Sequence, residues 1–226
     1  MRKSLILALA VVCVASAASA QPYPANGYIG VFSDVAGTQC CSTIPLFAPT
    51  TLHVMAFLGG ATAPGISGAE FRLEFSQSPT MAGSVSFSAS PTASLTIGNP
   101  LDFTPNQDPP MGQAEGLNIA WNMCQGTGGG GVLVGDVNVI FFAAPLPPLE
   151  ILTKRRNPPG NALFDCPLLT LCDPPAFTKV CLTIPSGAHG ESVNFRSGIN
   201  LPSCDSNCVP VAVSQNNWSA VKGLYR

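Results

Sequence analysis

Hydrophobic and polar residues alternate with a period of two along much of this chain, the repeat of a strand with one buried face. Residues 69–75 show it most cleanly: Ala69, Phe71, Leu73 and Phe75 alternate with Glu70, Arg72 and Glu74. This predicts a half-buried strand whose acid–base–acid row is a solvated outer face. Residues 51–58 predict a strand with Leu52, Val54 and Ala56 on one face and His53, Met55 and Phe57 on the other. The stretch 116–122 turns Leu117, Ile119 and Trp121 inward, and 132–142 gathers Val137, Val139 and Phe141 on one side. Shorter strands are predicted at 27–33, 84–88, 94–97, 149–154, 178–184 and 191–196. Only the C-terminal end, with Trp218, Val221, Leu224 and Tyr225, offers a helical face.

The segments between these runs are rich in turn formers: Gly59-Gly60, Pro64-Gly65, four prolines in 99–112, the glycine tract 126–131 and Asn157-Pro158-Pro159-Gly160. Many short strands separated by such loops predict an all-β sandwich. No internal repeat or linker divides the chain. The expected organisation is a single domain over 21–226, in which about 160–226 form a loop-rich, cysteine-rich C-terminal extension.

Composition narrows the function classes. The 226 residues are 46% hydrophobic and 10% charged, against about 25% charged in a typical globular protein. That excludes intrinsic disorder. A formal charge of −2 gives no electrostatic footprint for nucleic acid. At the N-terminus, Arg2 and Lys3 precede the apolar run 5–16 and the small residues Ala18-Ser19-Ala20. This predicts a signal peptide over 1–20, cut before Gln21, since the apolar run is shorter than the ~20 residues of a membrane span. A lipoprotein site at Cys13 is disfavoured by Val12 before it. The apolar run 132–144 is interrupted by Gly135, Asp136 and Asn138, so no membrane span is expected after cleavage. The mature protein is expected to be secreted, or periplasmic and envelope-located.

Eight cysteines follow the leader: Cys40, Cys41, Cys124, Cys166, Cys172, Cys181, Cys204 and Cys208. An even count in an exported chain reads as disulfides, though eight cysteines allow 105 pairings. Adjacent Cys40 and Cys41 are expected to bond to different partners. Each bridge contributes about 2–4 kcal/mol. A structural zinc site would need paired C-x(2–4)-C motifs. Only Cys204 and Cys208 have that spacing, and His189 is a lone loop histidine, so no metal is assigned.

Three local patterns resemble a group of secreted bacterial proteins with an immunoglobulin- or cohesin-like β-sandwich. They are the opening strand Tyr28-Ile29-Gly30-Val31-Phe32 leading to Cys40; Gly65-Ile66-Ser67-Gly68-Ala69-Glu70-Phe71, similar to the G-hydrophobic-x-G-x-x-F strand entry of cohesin-type sandwiches; and Trp218-Ser219-Ala220-Val221-Lys222-Gly223-Leu224-Tyr225-Arg226, similar to a W-x-x-[IV]-K-x-L-[YF]-R ending. The resemblance implies the sandwich and export, and carries no activity.

Catalytic constellations are sparse. Nucleophilic hydrolysis needs a histidine base. The candidates are His53, in a predicted strand, and His189, in a loop; no G-x-S-x-G elbow is present. Among carboxylates, Glu70 and Glu74 read as strand surface and Asp102 and Asp108 as loop residues, so no acid pair is favoured. The glycine tract lacks the lysine of a P-loop and reads as a turn. Lys154-Arg155-Arg156 reads as a solvated strand end. Trp121 reads as core, and Trp218 as a residue that docks back on the sandwich. No EF-hand loop is present, and no catalytic, cofactor-binding or metal-ligating residue is assigned. The expectation is an exported, disulfide-stabilised sandwich with a non-enzymatic structural or adhesive role. A module binding a surface glycan or protein comes second, and a secreted hydrolase third.

Overall fold

The computed structural model describes residues 26–76, 83–104, 115–127, 131–143, 148–157, 166–182 and 195–199. Strand β1 (Tyr28–Phe32) pairs antiparallel with β3 (Thr50–Phe57), β3 with β9 (Gly131–Phe141), and β9 with β5 (Gly83–Ala89). These four make one sheet, in the order β1-β3-β9-β5.

The second sheet branches at β4 (Ile66–Phe75). The first half of β4 lies between β8 (Gly116–Gln125) and β11 (Leu168–Leu171). Its second half lies between β10 (Leu149–Lys154) and the short parallel strand β7 (Leu101–Asp102). Strand β6 (Leu95–Asn99) pairs with β8, and β12 (Lys179–Cys181) with β11. Strand β13 (Phe195–Ile199) continues from β10, followed by β2 (Cys41–Ser42) in parallel. A 3-10 turn, Gly60–Thr62, is the one helical element among the described residues. No helix among them is long and apolar enough to cross a membrane.

The period-two pattern places the core. Ile29 and Val31 of β1, Leu52, Val54 and Ala56 of β3, and Val137, Val139 and Phe141 of β9 pack in one cluster with residues of the other sheet. Those partners include Phe71, Leu73 and Phe75 of β4, Leu117, Ile119 and Trp121 of β8, and Leu149 and Ile151 of β10. Two sheets sharing one apolar interior make a β-sandwich, as the sequence predicts. The far face of β1 and β3 is also apolar in part, with Tyr28 stacked on Phe57 at 5.1 Å and Phe32 set edge-on to it at 5.5 Å. Gly135 of β9 marks a close approach: a Cβ there would lie 2.4 Å from Cζ of Phe87 on β5.

The disulfides tie the second sheet at its margin. Cys124 at the end of β8 bonds to Cys172 just past β11, and Cys166 before β11 bonds to Cys181 in β12. Their sequence separations of 48 and 15 correspond to about 4 and about 3 kcal/mol of loop-closure stabilisation in the chain-entropy account. Cys41 is disulfide-bonded too. Cys40 is buried beside it. Cys204, Cys208, the predicted leader and the Trp218 ending lie outside the described residues.

Strand β10 matches its predicted bounds, and β3, β4, β8 and β9 match theirs within one to three residues. Strands β2 and β11 carry no prediction, and β7 lies in 99–112, which was expected to be a loop. At two to four residues each, they are too short to show an alternation and exist through their partners. The predictions at 178–184 and 191–196 are met only by β12 and by β13, which starts at Phe195. Residues 183–194 lie outside the described ones.

Candidate functional site

Strand register decides which charges meet on the second sheet. The pairing of β4 with β10 sets Lys154 opposite Arg72, and the parallel pairing with β7 sets Asp102 beside Glu74. Lys154 Nζ lies 2.8 Å from Glu74 Oε1, and Arg72 Nη2 lies 3.4 Å from Glu74 Oε2. Arg72 Nη1 reaches both Asp102 Oδ2 at 3.0 Å and Glu115 Oε2 at 3.2 Å. Asp102 also accepts the amide and hydroxyl of Thr104 at 2.8 and 2.9 Å. Glu70, one step along β4, accepts Asn118 Nδ2 at 3.4 Å.

These residues correct the sequence reading. Glu70, Arg72 and Glu74 were expected on a solvated face, Lys154 at a solvated strand end and Asp102 in a loop. They are instead 6, 8, 4, 6 and 2% exposed, and Asp102 belongs to β7. Alternation separates the two faces of a strand without saying that only one is covered. Here β4 is buried on both sides, and the backbone bridge between Glu115 and Asn157, with N–O distances of 2.7 and 2.8 Å, flanks the charged row. Gly116 makes that approach possible, with φ at +118° and room for no side chain: a Cβ would sit 2.7 Å from Arg156 Cγ.

Three carboxylates thus converge on one guanidinium, with one ammonium shared by Glu74. The imbalance falls on Glu115. Burial and the neighbouring Asp102 charge push its pKa above the ordinary carboxylate value, and Arg72 and Thr104 only partly oppose this. The arrangement resembles the acid–base clusters of active sites, but its members are paired with one another and enclosed. Its chemistry is that of a fixed ionic staple between β4, β7 and β10. Among the described residues, no group of three or more His, Cys, Asp or Glu is set to hold a metal ion.

His53 is held on the outer side of the four-stranded sheet, with Nδ1 2.8 Å from Asp136 Oδ1. In register, Asp136 lies between His53 on β3 and Ser88 on β5. Nucleophile activation needs the histidine between the acid and the hydroxyl, so this row does not make a triad. His189 and Asp108 lie outside the described residues. Asp34 accepts the Thr38 hydroxyl at 2.6 Å and the Gln39 amide at 2.8 Å. Burial raises its pKa, but these bonds outweigh it and hold the carboxyl below its ordinary value. This is a turn-closing role. Asp173 does the same for Thr178, whose hydroxyl and amide hold it below the ordinary value.

Trp121 is 5% exposed, in the core as its periodicity predicts, and is therefore no stacking platform for a sugar. Its indole Nε1 meets no acceptor among the described residues. The exposed apolar side chains lie elsewhere. On the uncharged strand β6, Leu95 and Ile97 are 55 and 52% exposed. Near the end of β9, Leu46, Phe47 and Phe142 are 36, 68 and 53% exposed. Sequence reading missed both patches: Leu95, Ile97 and Phe142 fall in predicted strands, where an apolar residue reads as core until the neighbouring strands are placed, and Leu46 and Phe47 fall in no predicted element.

No family model and no curated protein matches the chain. Among solved structures it is similar to the sixth cohesin of Acetivibrio cellulolyticus scaffoldin B, crystallised in complex with a mutant dockerin. The two share 12% identity with a TM-score of 0.42, over 78% of this chain and 99% of the cohesin. The sandwich itself rests on the strand pairing and shared core described above.

Proposed function

We propose that this chain is an exported, disulfide-stapled β-sandwich with a non-enzymatic structural or adhesive role at the cell envelope or outside the cell. The observation that carries the reading is the pair of bridges Cys124–Cys172 and Cys166–Cys181, since such bonds form and persist in oxidising compartments. The predicted leader over 1–20 and the resemblance to secreted sandwiches agree with it. Contact with a protein partner is supported by β6, an edge strand exposed along its whole length and without the charge or proline that usually protects an edge.

The reading is tested by fractionating cells that make the full chain, followed by an adhesion assay. It expects the protein in the envelope or extracellular fraction, and loss of cell or partner binding when Leu95 and Ile97 are both replaced by lysine. A cytosolic protein, or adhesion indifferent to those substitutions, would contradict it.

A glycan-binding reading has one observation in its favour. The outer side of the four-stranded sheet presents Thr51 and His53, Asp136 and Asn138, and Ser84, Ser86 and Ser88 across three neighbouring strands. Binding to a panel of immobilised polysaccharides that is lost in Asn138→Ala would favour this reading over the first.

A further inference from the structure

Cys41 is disulfide-bonded, while Cys124 is bonded to Cys172 and Cys166 to Cys181. Cys40 does not suit Cys41 as a partner, because consecutive Cα atoms are about 3.8 Å apart and a disulfide spans roughly 4.4–6.8 Å. The cysteines left are Cys13, within the predicted leader, and the C-terminal pair Cys204 and Cys208. We propose that Cys41 is bonded to Cys204 or Cys208, and that the segment 200–226 so tethered lays its apolar end on Leu46, Phe47 and Phe142.

The strand register favours the tether. Strand β13 runs parallel to β2, with Gly198 opposite Cys41 and Ile199 opposite Ser42, and Gly198 donates its amide to the Cys40 carbonyl at 2.9 Å. The chain thus leaves β13 beside Cys41. Cys204 follows Ile199 by five residues, a reach of about 17 Å when extended.

A candidate docking surface lies close by. The segment that follows β2 leads to buried Ile44 and then to Leu46 and Phe47. Leu46 bridges Phe141 in parallel, and the Phe47 amide donates to the Phe141 carbonyl at 2.8 Å. Phe47 and Phe142 therefore follow the two bridged residues side by side. Phe47 is held at φ 60°, in left-handed backbone that a bulky residue rarely adopts, with its ring largely outside the core. Held strain of this kind points to a site with a use.

The occupant is named by length and pattern. Twenty-seven residues follow Ile199, and they carry Trp218, Val221, Leu224 and Tyr225 at helical spacing with only Asp205, Lys222 and Arg226 charged. An apolar stripe of that width fits a patch of three exposed apolar side chains.

Two measurements on the full exported chain test this. Non-reducing peptide mapping should recover the Cys41 peptide joined to one containing Cys204 or Cys208. Alkylated Cys41, or Cys41 joined to Cys124, Cys166, Cys172 or Cys181, overturns the tether. The export reading enters only in setting Cys13 aside, so a Cys41–Cys13 peptide would overturn both proposals and the other results only this one. For docking, 5-fluorotryptophan labelling gives resonances from Trp121 and Trp218, assigned with Trp218→Phe. The Trp218 resonance should be shielded from a soluble paramagnetic probe and become several-fold more accessible when Phe47 and Phe142 are both replaced by serine. A Trp218 fully accessible in the unsubstituted chain, or indifferent to the patch, overturns the docking.

Discussion

Arg72 contacts three carboxylates, those of Glu74, Asp102 and Glu115. A buried ion pair adds little over well-packed apolar residues, yet removing one partner strands the others without compensation. Arg72→Met should therefore cost about 3–5 kcal/mol, read as a lower urea midpoint with an unchanged m-value. Glu115 sets a pH dependence whose sign follows from its raised pKa. A carboxyl that holds its proton more tightly when folded adds stability that is fully present below the unfolded value. That stability is lost as pH rises through the folded pKa. Thermal melts across mildly acidic to neutral pH should show this loss, and Glu115→Gln should remove it. Melts of the two proteins that fall in parallel would contradict the assignment. Alternation of Ala69 to Phe75 made the strand legible, but nothing local could tell that Glu70, Arg72 and Glu74 are covered too. Their cover depends on Asp102, Glu115 and Lys154, which are distant in sequence.

Strands with a strong period of two were legible from their own residues, because one face of each meets the shared core. Strand β11 was not: Leu168-Leu169-Thr170-Leu171 is too short for a pattern, and it is a strand because β4 and β12 flank it. Strand β6 was legible as a strand but not as an edge, since Leu95 and Ile97 read as core until the register with β8 leaves them outside. Replacing both by lysine should change stability by less than about 0.5 kcal/mol each, as for ordinary surface positions, while abolishing contacts made through the edge. Calorimetry of that variant separates the two effects. Gly116 joins β8 to the charged row, and its φ of +118° and the 2.7 Å approach to Arg156 Cγ leave no room for a methyl group. Gly116→Ala should destabilise by more than about 1 kcal/mol, measurable by denaturant unfolding.

At the scale of the whole molecule, two sheets close over one core and bridges fasten the margin of the larger sheet, where the short strands β11 and β12 lie. The even count of cysteines after the predicted leader made disulfides legible, whereas their connectivity was not, because it depends on where β4 sets β8 and β11. Replacing Cys124 and Cys172 together by alanine should cost about 2–5 kcal/mol and make melting insensitive to any reductant effect at that bridge. The most direct measurement is the intact mass and peptide map of the protein recovered from cells that make the full chain, denatured and alkylated without reductant. The account predicts a chain beginning at Gln21 with Cys124, Cys166, Cys172 and Cys181 unmodified. A chain beginning at Met1, with those four cysteines alkylated, would contradict it.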